Sequence, residues 1–210
     1  MAASDYFTIT IHGRGGHAGW PHETLDPVAI GAQIVSSLQQ VVSRRTNPNT
    51  SAVLSVTQFH GGTVDNVISE VARLSGTTRS FDETTRQAMT ASISHIAEGI
   101  AAAHGARAEL EYTRGYDPVV NDAAAAELVA RQVDLVEGVE LVEVEPLMGA
   151  DDMACLLQQA PGAYFFVGTG SDEAGSTWPH HHPRFTIDER SLPHALETFV
   201  RIVLESQRRK

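Results

Sequence analysis

Through residues 6–113 the hydrophobic spacing switches from strand-like to helix-like and back, in a fixed order. Phe7, Ile9 and Ile11 alternate with Tyr6, Thr8 and Thr10, the pattern of a strand with one buried face. Asp26-Pro27 then opens a helix, since a proline in the first turn gives up an N–H that has no partner there anyway. Val28, Gly31, Ile34, Val35, Leu38, Val41 and Val42 fall on one face of it. Arg44 and Arg45 suit its C-terminal dipole, and Asn47-Pro48 stops it. A second strand is expected at 52–59, ended by Gly61-Gly62, and a third at 70–80. Asp82 is placed to cap a second helix with Met89, Ile93, Ile96, Ala97 and Ile100 on its apolar face and Gly105 at its end. Residues 106–113 supply a fourth strand.

This order, β-α-β-β-α-β, is that of the ferredoxin-like split unit. The expected fold class is therefore α+β, with a two-layer domain over residues 5–115 whose edge strand or open sheet face needs solvent or a partner. Gly115-Tyr116-Asp117-Pro118 reads as a linker. Beyond it, 116–210 is expected to be an incomplete α/β segment. Its elements are a helix capped by Asn121 or Asp122 and running to about Val136, a strand at 139–145, and a short helix at 151–159. A strand at 163–167, apolar on both faces, and a final helix opened by Asp188-Glu189 complete it. Two strands are too few to close a doubly wound core.

A formal net charge of −11 makes nucleic acid an unexpected partner. No apolar run approaches the roughly 20 residues needed to cross a bilayer, and Met1–Asp5 lacks the basic-then-apolar order of a secretory signal. No membrane contact is expected. A single cysteine, Cys155, excludes an internal disulfide and fits a reducing compartment, so the expected location is cytoplasmic.

Between the first strand and the first helix lies Gly13-Arg14-Gly15-Gly16-His17-Ala18-Gly19-Trp20-Pro21-His22. Its glycines let the backbone approach a ligand or partner closely, and His17 projects from the middle. The spacing of a phosphate cradle is absent, and no Lys-Ser/Thr follows. His180-His181-His182 is the strongest metal-like signal, although adjacent side chains diverge and do not all reach one ion. A polar loop with one histidine packed and two solvated is the alternative. Cys155 has no nearby histidine, and the chain contains no Glu-Glu pair. Asp151 and Asp152 would point about 100° apart on a helix, which suits capping better than sharing a proton. Taken singly, His17, Asn66 and Arg79 are a loop histidine, a turn asparagine and an exposed strand arginine.

Several stretches together carry a resemblance. They are Gly15-Gly16-His17-Ala18 with Pro21-His22 and Asp26-Pro27, Gly61-Gly62 with Asn66-Val67-Ile68, and Gly76-Thr77-Thr78-Arg79. Met148-Gly149-Ala150-Asp151-Asp152-Met153 and His181-His182-Pro183-Arg184-Phe185 continue it, in order and across nearly the whole chain. The pattern resembles zinc-dependent amidohydrolases, the family of aminoacylases, hippurate hydrolases and auxin-conjugate hydrolases. The resemblance implies that 5–115 is a lid and dimerisation domain and 116–210 the C-terminal part of a catalytic domain. It implies hydrolysis of N-acyl amino acids or similar small amides. His17 becomes the electrophile that hydrogen-bonds the scissile carbonyl oxygen from the opposite subunit's lid, Asn66 and Arg79 become polar contacts near the substrate or the dimer seam, with substrate binding the role assigned, and His181 becomes a metal ligand. A homodimer through the lid, and a divalent metal such as zinc in the complete enzyme, are also implied.

Two departures stand out. The family's other ligands and general base, in a His-x-Cys-Gly-His-like segment, a Glu-Glu pair and a further histidine, are not in this sequence. The chain alone is therefore expected neither to hold the metal stably nor to be active. The family also has Glu-Asp where Asp151-Asp152 stands. A non-catalytic dimerisation or binding module that keeps the lid fold is the alternative, and simple divalent-metal binding by the histidine triplet is a third.

Overall fold

The computed structural model describes residues 1–208, so the last two residues of the expected 116–210 region lie outside it. The chain forms two compact units, the first made of Met1–Val119 and Pro146–Cys155, the second of Val120–Glu145 and the residues from Leu156 onward. The first unit contains β1 (Ala3–His12), β2 (Gly16–His17), α1 (Pro27–Gln40), β3 (Val53–Gly61), β4 (Val67–Ile68), β5 (Val71–Ser80), α2 (Glu83–Ala103) and β6 (Arg107–Thr113). Four of these strands make one sheet in the order β3-β5-β1-β6, every neighbouring pair antiparallel. The remaining two, β2 and β4, pair with each other as a short ribbon.

One apolar cluster joins the sheet to both helices: Phe7, Ile9 and Ile11 of β1, Leu74 of β5, Ile30, Ile34 and Leu38 of α1, and Met89 and Ile93 of α2. Each such side chain contributes about 1.5–3 kcal/mol by leaving water. Phe7 lies across from Gly76, where a Cβ would collide with the Phe7 ring, so the glycine makes room for it. The helix ends follow the sequence. Asp26 accepts from the Val28 and Ala29 N–H groups at 2.8 and 3.3 Å, and Asp82 accepts from Thr85 N–H at 2.8 Å. At the end of α2, Gly105 takes φ 73°, while its N–H and that of Ala106 return to the carbonyls of Ala102 and Ala101. Past Gln40 the first helix loosens into a wider turn over Val41–Arg45.

Hydrophobic spacing does not reveal the partners of a buried ion cluster centred on Arg86. The Arg86 side chain, 3% exposed, bonds both carboxylate oxygens of Asp5, which is 1% exposed. Tyr112 Oη–H and Gly115 N–H also donate to Asp5, at 2.8 and 3.0 Å, and Asp117 pairs with Arg86. At the chain start, Met1 and Val119 exchange bonds: the Met1 amino group donates to the Val119 carbonyl at 3.3 Å and Val119 N–H to the Met1 carbonyl at 3.1 Å. Ala2 N–H lies 3.0 and 2.9 Å from the carbonyls of Leu147 and Gly149, which draws Pro146–Cys155 into this unit.

The second unit holds α3 (Ala123–Val133) and, after the short α4 (Met153–Leu157) that begins in the first, α5 (Ser191–Arg208). Asp122, not Asn121, caps α3, accepting from Ala125 N–H at 2.9 Å. The strands expected at 139–145 and 163–167 do not form. A strand needs a neighbour for its N–H and C=O groups, and among the described residues of this unit none stands beside either segment. At Tyr164 the Asn121 side chain takes that place, donating to the carbonyl at 2.9 Å and accepting from the N–H at 2.8 Å. The last helix begins at Ser191, after a turn that Asp188 opens by accepting from Arg190 N–H on its side chain and from Ser191 N–H on its carbonyl. Among the described residues no helix is long and apolar enough to cross a membrane.

Candidate functional site

The glycine-rich stretch between β1 and α1 folds back on itself. Arg14 and Leu25 exchange backbone bonds of 2.9 Å, and a Cβ on Gly13 would collide with the Leu25 carbonyl, so only glycine lets these segments meet. Gly16 and His17 then pair with Ile68 and Val67, and Ala18 N–H donates to the Asn66 carbonyl at 3.0 Å. His17 and Asn66, far apart in the chain, thus come together on one ribbon.

His17 is exposed, and its ring is oriented from two directions. Gly19 N–H donates to its Nδ1 at 2.9 Å. An acceptor at Nδ1 puts the neutral ring's proton on Nε2, so the imidazole is an Nε2–H donor. The Trp20 ring lies against it, centroids 4.9 Å apart and planes 31° from parallel. Spacing picks out neither Gly19 nor Trp20. The signal for the latter is a tryptophan between Gly19 and Pro21, which leaves it no regular element in which to be buried.

Arg79 stands elsewhere. The register of β1 and β5 pairs it with Ser4 and pairs Val71 with His12, eight residues along the strand. That is about 26 Å from the end bearing His17, so one chain does not bring the two together. Arg79 donates to the Thr78 carbonyl at 2.9 Å and to Thr77 Oγ1.

The histidine triplet lies in the second unit. His180 packs edge-on against Phe185, with centroids 4.9 Å apart, and His182 stacks on Trp178 at 4.0 Å. His181 takes φ 66°, and it is exposed. The alternative of one packed and two solvated histidines is the arrangement that forms: His182 is half-buried against Trp178, while His180 and His181 are exposed. Beside them lies an open hollow of about 450 Å³ lined by Ser171, Ser176, Thr177, Trp178, His180 and Phe185. Arg190 ties its loop down by bonding Asp188 and Glu173, and the bonds from its guanidinium and backbone N–H hold the Asp188 carboxyl down to about 2. Asp151 accepts from Met153 N–H at 2.9 Å at the start of α4, as a cap does. Among the described residues, no group of three or more His, Cys, Asp or Glu side chains is placed to hold a metal ion. The residues present therefore do not fit a complete metal site.

Residues 8–205 match Peptidase family M20/M25/M40, and the chain belongs to that family. It is 40% identical over 213 residues to the N-acetylcysteine deacetylase of Bacillus subtilis (strain 168), covering 98% of this chain and 53% of that protein. With thermostable carboxypeptidase 2 of Saccharolobus solfataricus it shares 37% identity over 202 residues, 93% of this chain and 51% of the relative. Among solved structures, the Bacillus subtilis YXEP protein, described as a dinuclear metal binding peptidase from the M20 family, superposes with TM-score 0.77 at 33% identity. That match covers 96% of this chain and 49% of the other. The chain spans about half the length of the relatives it matches.

Proposed function

We propose that this chain is the lid and the C-terminal catalytic portion of a metal-dependent amidohydrolase that cleaves N-acyl amino acids or similar small amides. Similarity to a deacetylase and a carboxypeptidase supports amide hydrolysis, and similarity to a dinuclear metal-binding peptidase supports a divalent metal, for which zinc is our choice. The observation that carries the reading is the Gly19 N–H bond to His17 Nδ1. It prepares an outward Nε2–H, the kind of donor that stabilises a carbonyl oxygen as it gains charge.

In this proposal the β-α-β-β-α-β unit is a ferredoxin-like lid through which two copies pair, and His17 serves the partner's substrate. Asn66 contacts that substrate beside His17, whereas Arg79, about 26 Å away along β5, contacts substrate only at a site other than the one His17 serves. His181 supplies one metal ligand. The described residues hold no full ligand set, which favours, for this chain alone, the reading of a non-catalytic dimerisation module. A cytoplasmic setting accords with the free, exposed Cys155.

The test uses the polypeptide extended to its relatives' length. His17→Ala there is expected to lower turnover by roughly 10²–10³ with KM little changed. In mixed dimers, His17→Ala on one subunit and a disabled metal site on the other should leave one working site. Both defects on one subunit should leave none, and the reverse outcome would overturn the cross-subunit role.

A further inference from the structure

We propose that Trp20 is a positioning residue for His17, one that holds the imidazole so that Nε2–H faces substrate. The proposal rests on the reading of His17 as donor to the substrate carbonyl. Trp20 is 58% exposed, so the fold gains little from burying it. Its backbone is nevertheless fixed on both sides. Trp20 N–H donates to the His17 carbonyl at 2.9 Å, Glu23 N–H donates to the Trp20 carbonyl at 3.1 Å, and Pro21 follows directly. This tight turn brings the indole against the imidazole.

The bond from Gly19 keeps the proton on Nε2 only while the ring is held against it, and a ring held by that one bond can rock out of it. An aromatic surface on its flank restricts that motion, because offset or tilted ring pairs have preferred geometries. Val67, 48% exposed, stands directly across from His17 in the antiparallel ribbon, and opposite residues there project from the same face. With Nδ1 occupied and an indole beside the ring, Nε2 is the nitrogen left for a ligand. Trp20 thus acts through His17 and need not touch the reacting atoms itself.

The experiment is nitrogen NMR of labelled histidines in this chain, in mildly alkaline buffer. Wild type is expected to show well-separated Nδ1 and Nε2 shifts for His17, with its ring C–H signals displaced by the indole current. Trp20→Ala and Trp20→Leu should both bring the two nitrogen shifts toward each other, and Trp20→Phe should restore their separation. If Trp20→Ala leaves the nitrogen pair unchanged, Gly19 alone orients the ring and the proposal falls. It falls equally if the substitution alters the association state without moving the His17 signals, since Trp20 is then an interface residue. An inactive full-length enzyme with the expected His17 pattern would sink the hydrolase reading and leave this one standing.

Discussion

Removing one member of the Asp5–Arg86 pair takes the buried counter-charge from the other, leaving Arg86 with the half-exposed Asp117 or Asp5 with the Tyr112 and Gly115 donors. Arg86→Met and Asp5→Asn are each expected to destabilise the first unit by about 3–5 kcal/mol, measured by urea unfolding followed by circular dichroism. Acid should act through the same carboxyl. Burial alone would push Asp5 up, but the bonds from Arg86, Tyr112 and Gly115 N–H outweigh it and hold the carboxyl below its ordinary value. A group lowered on folding contributes fully above its unfolded value, about 3.9 for aspartate, and the contribution drains away as pH falls through the folded value. Asp5→Asn should therefore flatten the acid limb of the stability curve below about pH 4. Half of this cluster is legible in the sequence: Arg86 lies three residues before Met89, on the apolar stripe of α2. Which carboxylate answers it is not legible, because Asp5 is 81 residues away. His17 is similar. Its exposure in a glycine loop can be read directly, whereas its tautomer depends on a turn geometry that no spacing encodes.

The elements of the first unit follow local rules, and their ends respond to local changes. Asp82→Ala should cost about 1 kcal/mol through the lost cap of α2, seen as a lower urea midpoint with an unchanged slope. Gly13→Val is expected to part Arg14 from Leu25 while leaving the sheet intact. Amide shifts moving at Arg14, Ala18 and Gly19 but not along β1 and β5 would bear this out. Helix periods and caps are read from neighbours a few residues apart, so α1, α2, β3 and β5 are legible in the sequence, whereas the short β2–β4 ribbon is not. The strands expected at 139–145 and 163–167 were not realised for the opposite reason. A strand exists only beside another, and hydrophobic content cannot say whether one is there. The motif Gly76-Thr77-Thr78-Arg79 shows the same limit. Gly76 makes room for Phe7, Thr77 donates to the Asp5 carbonyl and Thr78 bonds Tyr112, so three of its four residues build the sheet.

Across the whole molecule the two units differ in what they bury. The first has a continuous core, while among the described residues of the second the buried apolar side chains are Val133 and Val136. Leu196, Phe199 and Leu204 of α5 are more than half exposed. Amides of the second unit should therefore exchange with solvent well before those of β1, β5 and α2. Mass spectrometry showing equal protection would refute that. Pairing of two copies, proposed for the lid, predicts twice the chain mass by light scattering at micromolar concentration, and a strict monomer would count against it. The reciprocal bonds between Met1 and Val119 carry a consequence of another kind. A body whose entry and exit lie side by side can be spliced into a surface loop of an unrelated host without stretching either chain. Residues 1 and 119 thus share one doorway of the unit, and Pro146–Cys155 returns to that same doorway by accepting from Ala2 N–H.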